Sequence, residues 1–333
     1  MNKRIQWVDV GKYICIMCVM LSHLESGTQV LRNIYSPFFL TMFFFLAGYV
    51  YKKPNTFKEF VIKKVKGLIV PWFVLSTFDL VLSSIISFKA NRNLLQEVLW
   101  NLAQIRPLGD VMWFVPALFM AFIPFYFVSQ IKNKKYMLGL SFALAFCSNI
   151  YSFVMPKDIY PWGNNALPWH IEYMFYAMFW MMLGYWYKND FEKKSEKCNS
   201  WLFGISSLFI YLIMALFINI PNGLCRIIWN YLISIVGLTV VVFIAKKIKA
   251  NKYISFVGAN TIIYFGLHGK VYAVLEHILS TKFGNFYSFC LNNDLYSSIL
   301  AIILTFIMSI VLTVPAEIIN RWFPWIVGRK KNI

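Results

Sequence analysis

The chain has 333 residues, 59% hydrophobic and 14% charged, with 32 Lys and Arg against 14 Asp and Glu for a net charge of +18. A soluble domain carries about 25% charged residues, so the composition excludes an ordinary soluble enzyme and predicts an all-α, polytopic membrane protein. The basic surplus is dealt out between apolar runs rather than gathered on one face, which excludes nucleic acid as the partner that explains it.

The first apolar segment, 7–25, reads as membrane-spanning yet holds Asp9, Lys12 and His23. An Asp or Lys at mid-helix costs about 2.5–3.5 kcal/mol on insertion. Such residues face a bundle interior or a cavity and point to function. Lys12 and His23 lie about 16 Å apart along one helix, a basic anchor towards one membrane face and a proton-transfer group towards the other. The segment lacks a small-residue cleavage site, and further spans follow at once, so it reads as a retained helix rather than a signal peptide. Those further spans are predicted at 36–51, 68–88, 110–129, 136–154, 169–187, 200–219, 227–245, 254–279 and 295–319. About ten transmembrane helices result, each long enough for roughly 30 Å of hydrocarbon.

The connections alternate in charge. Twenty-three of the 32 basic residues fall on one side: Lys3 and Arg4, six lysines from Lys52 to Lys66, three from Lys132 to Lys135, four from Lys188 to Lys197, four from Lys246 to Lys252, then Arg321, Arg329, Lys330 and Lys331. Seven fall on the other: Arg32, Lys89, Arg92, Arg106, Lys157, Arg226 and Lys282. This bias predicts cytoplasmic termini and some attraction to anionic membrane lipid. Every hydrophilic connection is short, so residues 1–333 read as one integral-membrane domain with no appended soluble domain. Of the six cysteines, Cys225 and Cys290 are predicted near the outer face. None has the neighbours of a metal site, and no metal is expected.

Other polar residues fall at membrane depth. Asp110 and Trp113 share a helical face near the outer mouth, where a carboxylate beside an aromatic ring suits a sugar; Trp also marks membrane interfaces. His170 and Glu172 are two apart and would not share a face of an α-helix. His268 stands in Gly266-Leu-His-Gly-Lys270, which predicts a helix break lining a cavity.

Asp9-Val-Gly-Lys12, an apolar run and His23 resemble the opening signature of the acyltransferase-3 family of integral-membrane O-acyltransferases. Tyr13 stands where the family often has Gly, and Lys12 is the variant of the fucose-acetylase-like branch. Phe43-Phe-Phe-Leu-Ala-Gly-Tyr49 resembles the end of the family's short second helix, with Ala47 in place of Ser. Leu68-Ile-Val-Pro-Trp72, Trp113-Phe-Val115, the element Phe256 to His268, and Pro315 with Phe323 to Gly328 continue the resemblance along most of the chain.

The resemblance implies transfer of an acyl group, usually acetyl, from cytoplasmic acyl-CoA to a sugar hydroxyl of an envelope or exported glycan. A sugar hydroxyl needs a base near neutral pH, and His23 suits that role or that of acyl carrier. Lys12 is placed to hold CoA phosphate, with Asp9 orienting it; a snorkelling lysine paired to Asp9 is the alternative. Lys63, Lys64 and Lys66 are further phosphate candidates or simple topology determinants. Asp110, Trp113, Glu172 and His268 are the candidate acceptor contacts. Acetyl-CoA or another acyl-CoA is the expected co-substrate, and the expected partners are a glycan or lipid-linked sugar, with self-association or polysaccharide-assembly partners compatible with the class. The localisation expected is the inner or cytoplasmic membrane. Two competing functions stay open: a transporter or flippase of lipid-linked sugar, and a non-catalytic partner of a polysaccharide synthase.

Overall fold

A computed structural model describes residues 5–86, 93–105, 108–196 and 200–329. Lys3, Arg4, Lys89, Arg92, Arg106, Lys197, Cys198, Lys330 and Lys331 lie outside the described residues. The described residues are all-helical, without strands. In chain order the helices are α1 (Gln6–Ser22), α2 (Gln29–Tyr35), α3 (Phe39–Tyr49), α4 (Phe57–Lys64), α5 (Val70–Ile86), α6 (Leu94–Ala103), α7 (Phe114–Val128), α8 (Lys134–Val154) and α9 (Met174–Trp186). They continue as α10 (Glu192–Ser195), α11 (Trp201–Leu216), α12 (Leu224–Lys247), α13 (Lys252–Ala259), α14 (Thr261–Lys282), α15 (Gly284–Leu291), α16 (Asp294–Val311) and α17 (Thr313–Trp322). Short 3-10 turns stand at Val111–Trp113, Pro168–Tyr173 and Pro324–Val327, and π segments at Val65–Ile69 and Tyr187–Phe191.

Helix starts follow from local chemistry. Thr28, Thr56, Asn93, Asn133, Ser200, Asn251 and Asn293 each turn a side-chain oxygen onto a backbone N–H of the first turn, the arrangement that satisfies a helix's orphan donors. The protein is a multi-pass membrane protein, and among the described residues six helical stretches are long and apolar enough to cross a bilayer: Gln29–Tyr49, Phe57–Ser83, Val111–Val128, Lys134–Val154, Leu224–Lys247 and Asp294–Trp322. The other predicted spans come out short or broken. Helix α1 has 17 residues, α9 has 13 and α11 has 16.

The predicted span 254–279 is two helices, and its break is not at the Gly266–Gly269 pair. Helix α14 runs unbroken through those glycines. The interruption falls at Asn260, whose amide donates to Phe256 C=O (2.8 Å) and accepts from Asn320 Nδ2 (2.9 Å). A side chain that competes with the backbone for hydrogen bonds favours a helix end.

The chain divides into two compact units. One comprises Met1–Phe43, Ser195–Pro221 and Ile228–Trp322; the other comprises Phe44–Lys194, Asn222–Ile227 and Phe323–Ile333. In the first, α1 packs against α13, α14 and α16. Gly258 on α13 lies so close to the Asp9 carbonyl that a Cβ would overlap it. Together with the meeting of His23 and His268, this contact sets α1 parallel to α13–α14. In the second, α7, α8 and α9 form the core. The end of α3 meets α9 backbone to backbone, since a Cβ at Gly48 would overlap the Met181 carbonyl and one at Gly184 the Phe45 carbonyl. Small residues permit such close packing where lipid supplies no hydrophobic drive between helices.

Candidate functional site

In the first unit, His23 caps the C-terminus of α1 with φ −100° and ψ 0°, in the sparsely allowed bridge region where many active-site residues sit. It lies just past the helix rather than inside it, and it is exposed. Its ring meets that of His268, centroid to centroid 4.8 Å at 57°. His268 is fully buried, and its Nδ1 lies 2.8 Å from the Phe265 carbonyl. A carbonyl only accepts, so the network assigns the proton to Nδ1 and leaves Nε2 as a bare acceptor. Nε2 has no hydrogen-bond partner.

The turn after His23 is held from three helices. The Glu25 N–H donates to Tyr272 Oη on α14 (2.9 Å), and Tyr287 Oη on α15 donates to Glu25 Oε2 (3.3 Å). From α16, Ser297 Oγ donates to the Ser26 carbonyl (2.9 Å), while Ser298 Oγ shares a hydrogen bond with Thr28 Oγ1 (2.8 Å). Burial and its hydrogen bond with Tyr272 push the Tyr287 hydroxyl above its ordinary range. None of these anchors was legible from spacing, because their partners lie about 250 residues away in sequence. Asp9, buried, and Lys12, half-buried, stand one turn apart earlier on the same helix.

In the second unit, Asp110 does not start an α-helical face shared with Trp113. It caps the 3-10 turn Val111–Trp113, accepting from Met112 N–H (2.8 Å) and from Gln104 Nε2 (2.7 Å) through Oδ1. The Trp113 ring lies 4.8 Å from that of His170. His170 and Glu172, expected on different faces, are hydrogen-bonded, Nδ1 to Oε1 at 3.1 Å. The reason is the backbone: Trp169 (φ 55°) and His170 (φ 53°) are left-handed, so α-helical spacing does not apply. Gln104 (φ 49°) is the other non-glycine residue with positive φ among the described residues. Such conformations cost of order 1–3 kcal/mol each and collect at functional sites. Pro168 disfavours helix only at Leu167, the residue before it, and gives no sign of the left-handed pair that follows. Trp169 is fixed by its Nε1 donating to Leu102 C=O (2.8 Å) and by the Trp72 ring at 5.5 Å.

Of the phosphate candidates, Lys63 and Lys66 are exposed, whereas Lys64 sets its ammonium 3.4 Å from the Phe122 ring centroid, a cation–π contact. The predicted site residues therefore fall into two groups: Asp9, Lys12, His23 and His268 in the first unit, and Lys63, Lys64, Lys66, Asp110, Trp113 and Glu172 in the second.

The chain is thus a helical membrane protein that sets an exposed histidine at a helix end against a second, buried imidazole. The acyltransferase-3 family model, described as an acyltransferase domain, matches residues 5–317, and the chain belongs to that family. No curated protein and no solved structure matches it.

Proposed function

We propose that the protein moves an acetyl group from cytoplasmic acetyl-CoA to a sugar hydroxyl of a cell-envelope or exported glycan, as in the fucose-acetylase-like and exopolysaccharide branch. The observation that carries this reading is His23 at the end of α1, packed on His268, in a chain of an acyltransferase family. His23 is exposed, as a residue that meets a substrate must be. It takes the hydroxyl proton as the acceptor attacks the thioester carbonyl, or first carries the acyl group itself. CoA leaves as the thiol in either route. His268 has no solvent exposure, so it fits a positioning role behind His23 better than an acceptor contact.

Lys12, oriented by Asp9, is the proposed donor anchor, with Lys63, Lys64 and Lys66 as further phosphate contacts. Asp110, Trp113 and Glu172 are the proposed acceptor contacts. The frame in this reading is ten spans in the inner membrane with both termini cytoplasmic.

The test is release of CoA from radiolabelled acetyl-CoA by purified protein with candidate glycans. A general base contributes about 10²–10⁴-fold, so His23→Ala is expected to lose that much at equal expression. Activity within a few-fold of wild type removes His23 from catalysis. No CoA release with any acceptor favours a transporter or assembly partner.

A further inference from the structure

The second unit holds a cavity of about 220 Å³ between α5 and α6. Trp72, Phe73, Ser76 and Thr77 line it from α5, and Asn101 and Leu102 from α6. Its walls are almost wholly hydrocarbon, and among the described residues none of those lining it is charged. The α5 wall belongs to Phe57–Ser83, a stretch long and apolar enough to cross a bilayer. Phe73 and Leu102 are exposed, as are Leu95 and Leu99 on α6. In a membrane such side chains meet lipid tails, so the cavity is continuous with the lipid-facing surface. A water molecule takes about 30 Å³ and needs two or more polar partners. A larger space with this lining takes a hydrocarbon chain instead.

The walls also bear on what that chain carries. Trp72 is 3% exposed, and its indole N–H has no hydrogen-bond partner among the described residues. An indole nitrogen can only donate, and a buried donor left unpaired is unfavourable. The Ser76 hydroxyl is turned to the Asp110 carboxylate, so it does not serve the indole. Trp72 lines the cavity, and the acceptor it lacks can come from the occupant. A phosphate is a poor fit, because burying a charge without a partner is costly. A neutral carbonyl fits. A lipid acyl chain joined through an ester brings the hydrocarbon and the carbonyl together. A polyprenyl phosphate carries its oxygens only on the charged group.

We propose that the cavity between α5 and α6 holds one acyl chain of an ester-linked membrane lipid, with its ester carbonyl accepting from the Trp72 indole N–H. The place gives the lipid a structural consequence. Trp72 packs on the Trp169 ring at 5.5 Å, and Trp169 Nε1 donates to Leu102 C=O on α6. The occupant therefore buttresses the two walls that fix the left-handed segment at Trp169 and His170. Lipid binding here is independent of the acyl-transfer reading.

The test is photolabelling of the full chain in nanodiscs of ether-linked phosphatidylcholine, doped with diester phosphatidylcholine that carries a diazirine on one acyl chain. Label is expected to concentrate on the α5 and α6 peptides that line the cavity. Its yield there is expected to exceed that of the matching ether-linked probe about three- to tenfold, the net effect of one neutral hydrogen bond. Trp72→Phe keeps a ring and removes the N–H, so the two probes are then expected to label alike. Val98→Phe fills the cavity from α6. It is expected to lower cavity labelling by either probe, while labelling of the exposed face of α11 stays at the wild-type level. The proposal is overturned if the cavity peptides label no more than α11, or if ester and ether probes label them alike in the wild type. An ester preference that survives in Trp72→Phe overturns it too. So does displacement of the diester probe by decaprenyl phosphate or palmitoyl-CoA more than tenfold better than by unlabelled diester lipid, which would make this a carrier or donor site. Cavity labelling that depends on Trp72 in a protein that releases no CoA sustains the lipid site and removes only the acyl-transfer reading.

Discussion

His23 is a side chain whose surroundings matter as much as its own chemistry. The imidazole of His268 is locked by the Phe265 carbonyl, so it presents a fixed ring face to His23. His268→Asn keeps a side-chain N–H for that carbonyl and removes the rest of the ring. In the acyl-transfer reading, kcat is expected to fall about tenfold with the acyl-CoA KM unchanged; a rise in KM alone contradicts a positioning role. Lys12 is tested separately. A lost contact to phosphate costs about 1.5–3 kcal/mol, so Lys12→Gln is expected to raise the acyl-CoA KM roughly ten- to a hundredfold. If Lys12 only compensates Asp9, the double variant Lys12→Gln with Asp9→Asn regains wild-type yield and KM. That Lys12 lies on α1 and His23 at its end was legible in sequence, because one continuous apolar helix runs between them. His170–Glu172 was not, because two left-handed residues replace the helical geometry that the spacing rule assumes.

Among the helices, α1 and α13 are the pair whose contact sets the His23 site. The Gly258 Cα faces the Asp9 backbone, and any side chain there must push the two helices apart. Overpacking a well-filled contact costs about 1–3 kcal/mol. Gly258→Val is expected to lower the thermal midpoint in detergent and to lower acyl transfer with it, whereas Gly269→Ala, where a Cβ meets nothing, leaves the midpoint unchanged. A midpoint equal to wild type in Gly258→Val removes the close contact from the account. The apolar runs made the helices predictable. The break at Asn260 went unread because the more conspicuous Gly266 and Gly269 drew the prediction, yet both sit in uninterrupted helix.

For the whole molecule, the charge bias between loops predicts which face each loop meets. Reporter fusions after Ile333 and near Asn222 are expected to report opposite compartments; a shared compartment refutes the ten-span frame. Thiol labelling sharpens this. Of the two cysteines expected near the outer face, Cys225 is exposed and Cys290 is buried. In a variant retaining only these two cysteines, an impermeant maleimide applied from outside is expected to modify Cys225 at once and Cys290 only after denaturation.

The turn from Glu25 to Thr28 also has a consequence for biosynthesis. The turn residues Glu25, Ser26 and Thr28 are made 247 to 271 residues before the groups that hold them, Tyr272, Tyr287, Ser297 and Ser298. Contacts this distant in sequence form late. Helix α1 must wait in the membrane with its ionisable residues lacking their final neighbours until α14 to α16 have been inserted. A ribosome-stalled chain ending before Tyr272 therefore carries His23 without the residues that hold its turn, and in the acyl-transfer reading activity appears only after α14 to α16 have been made.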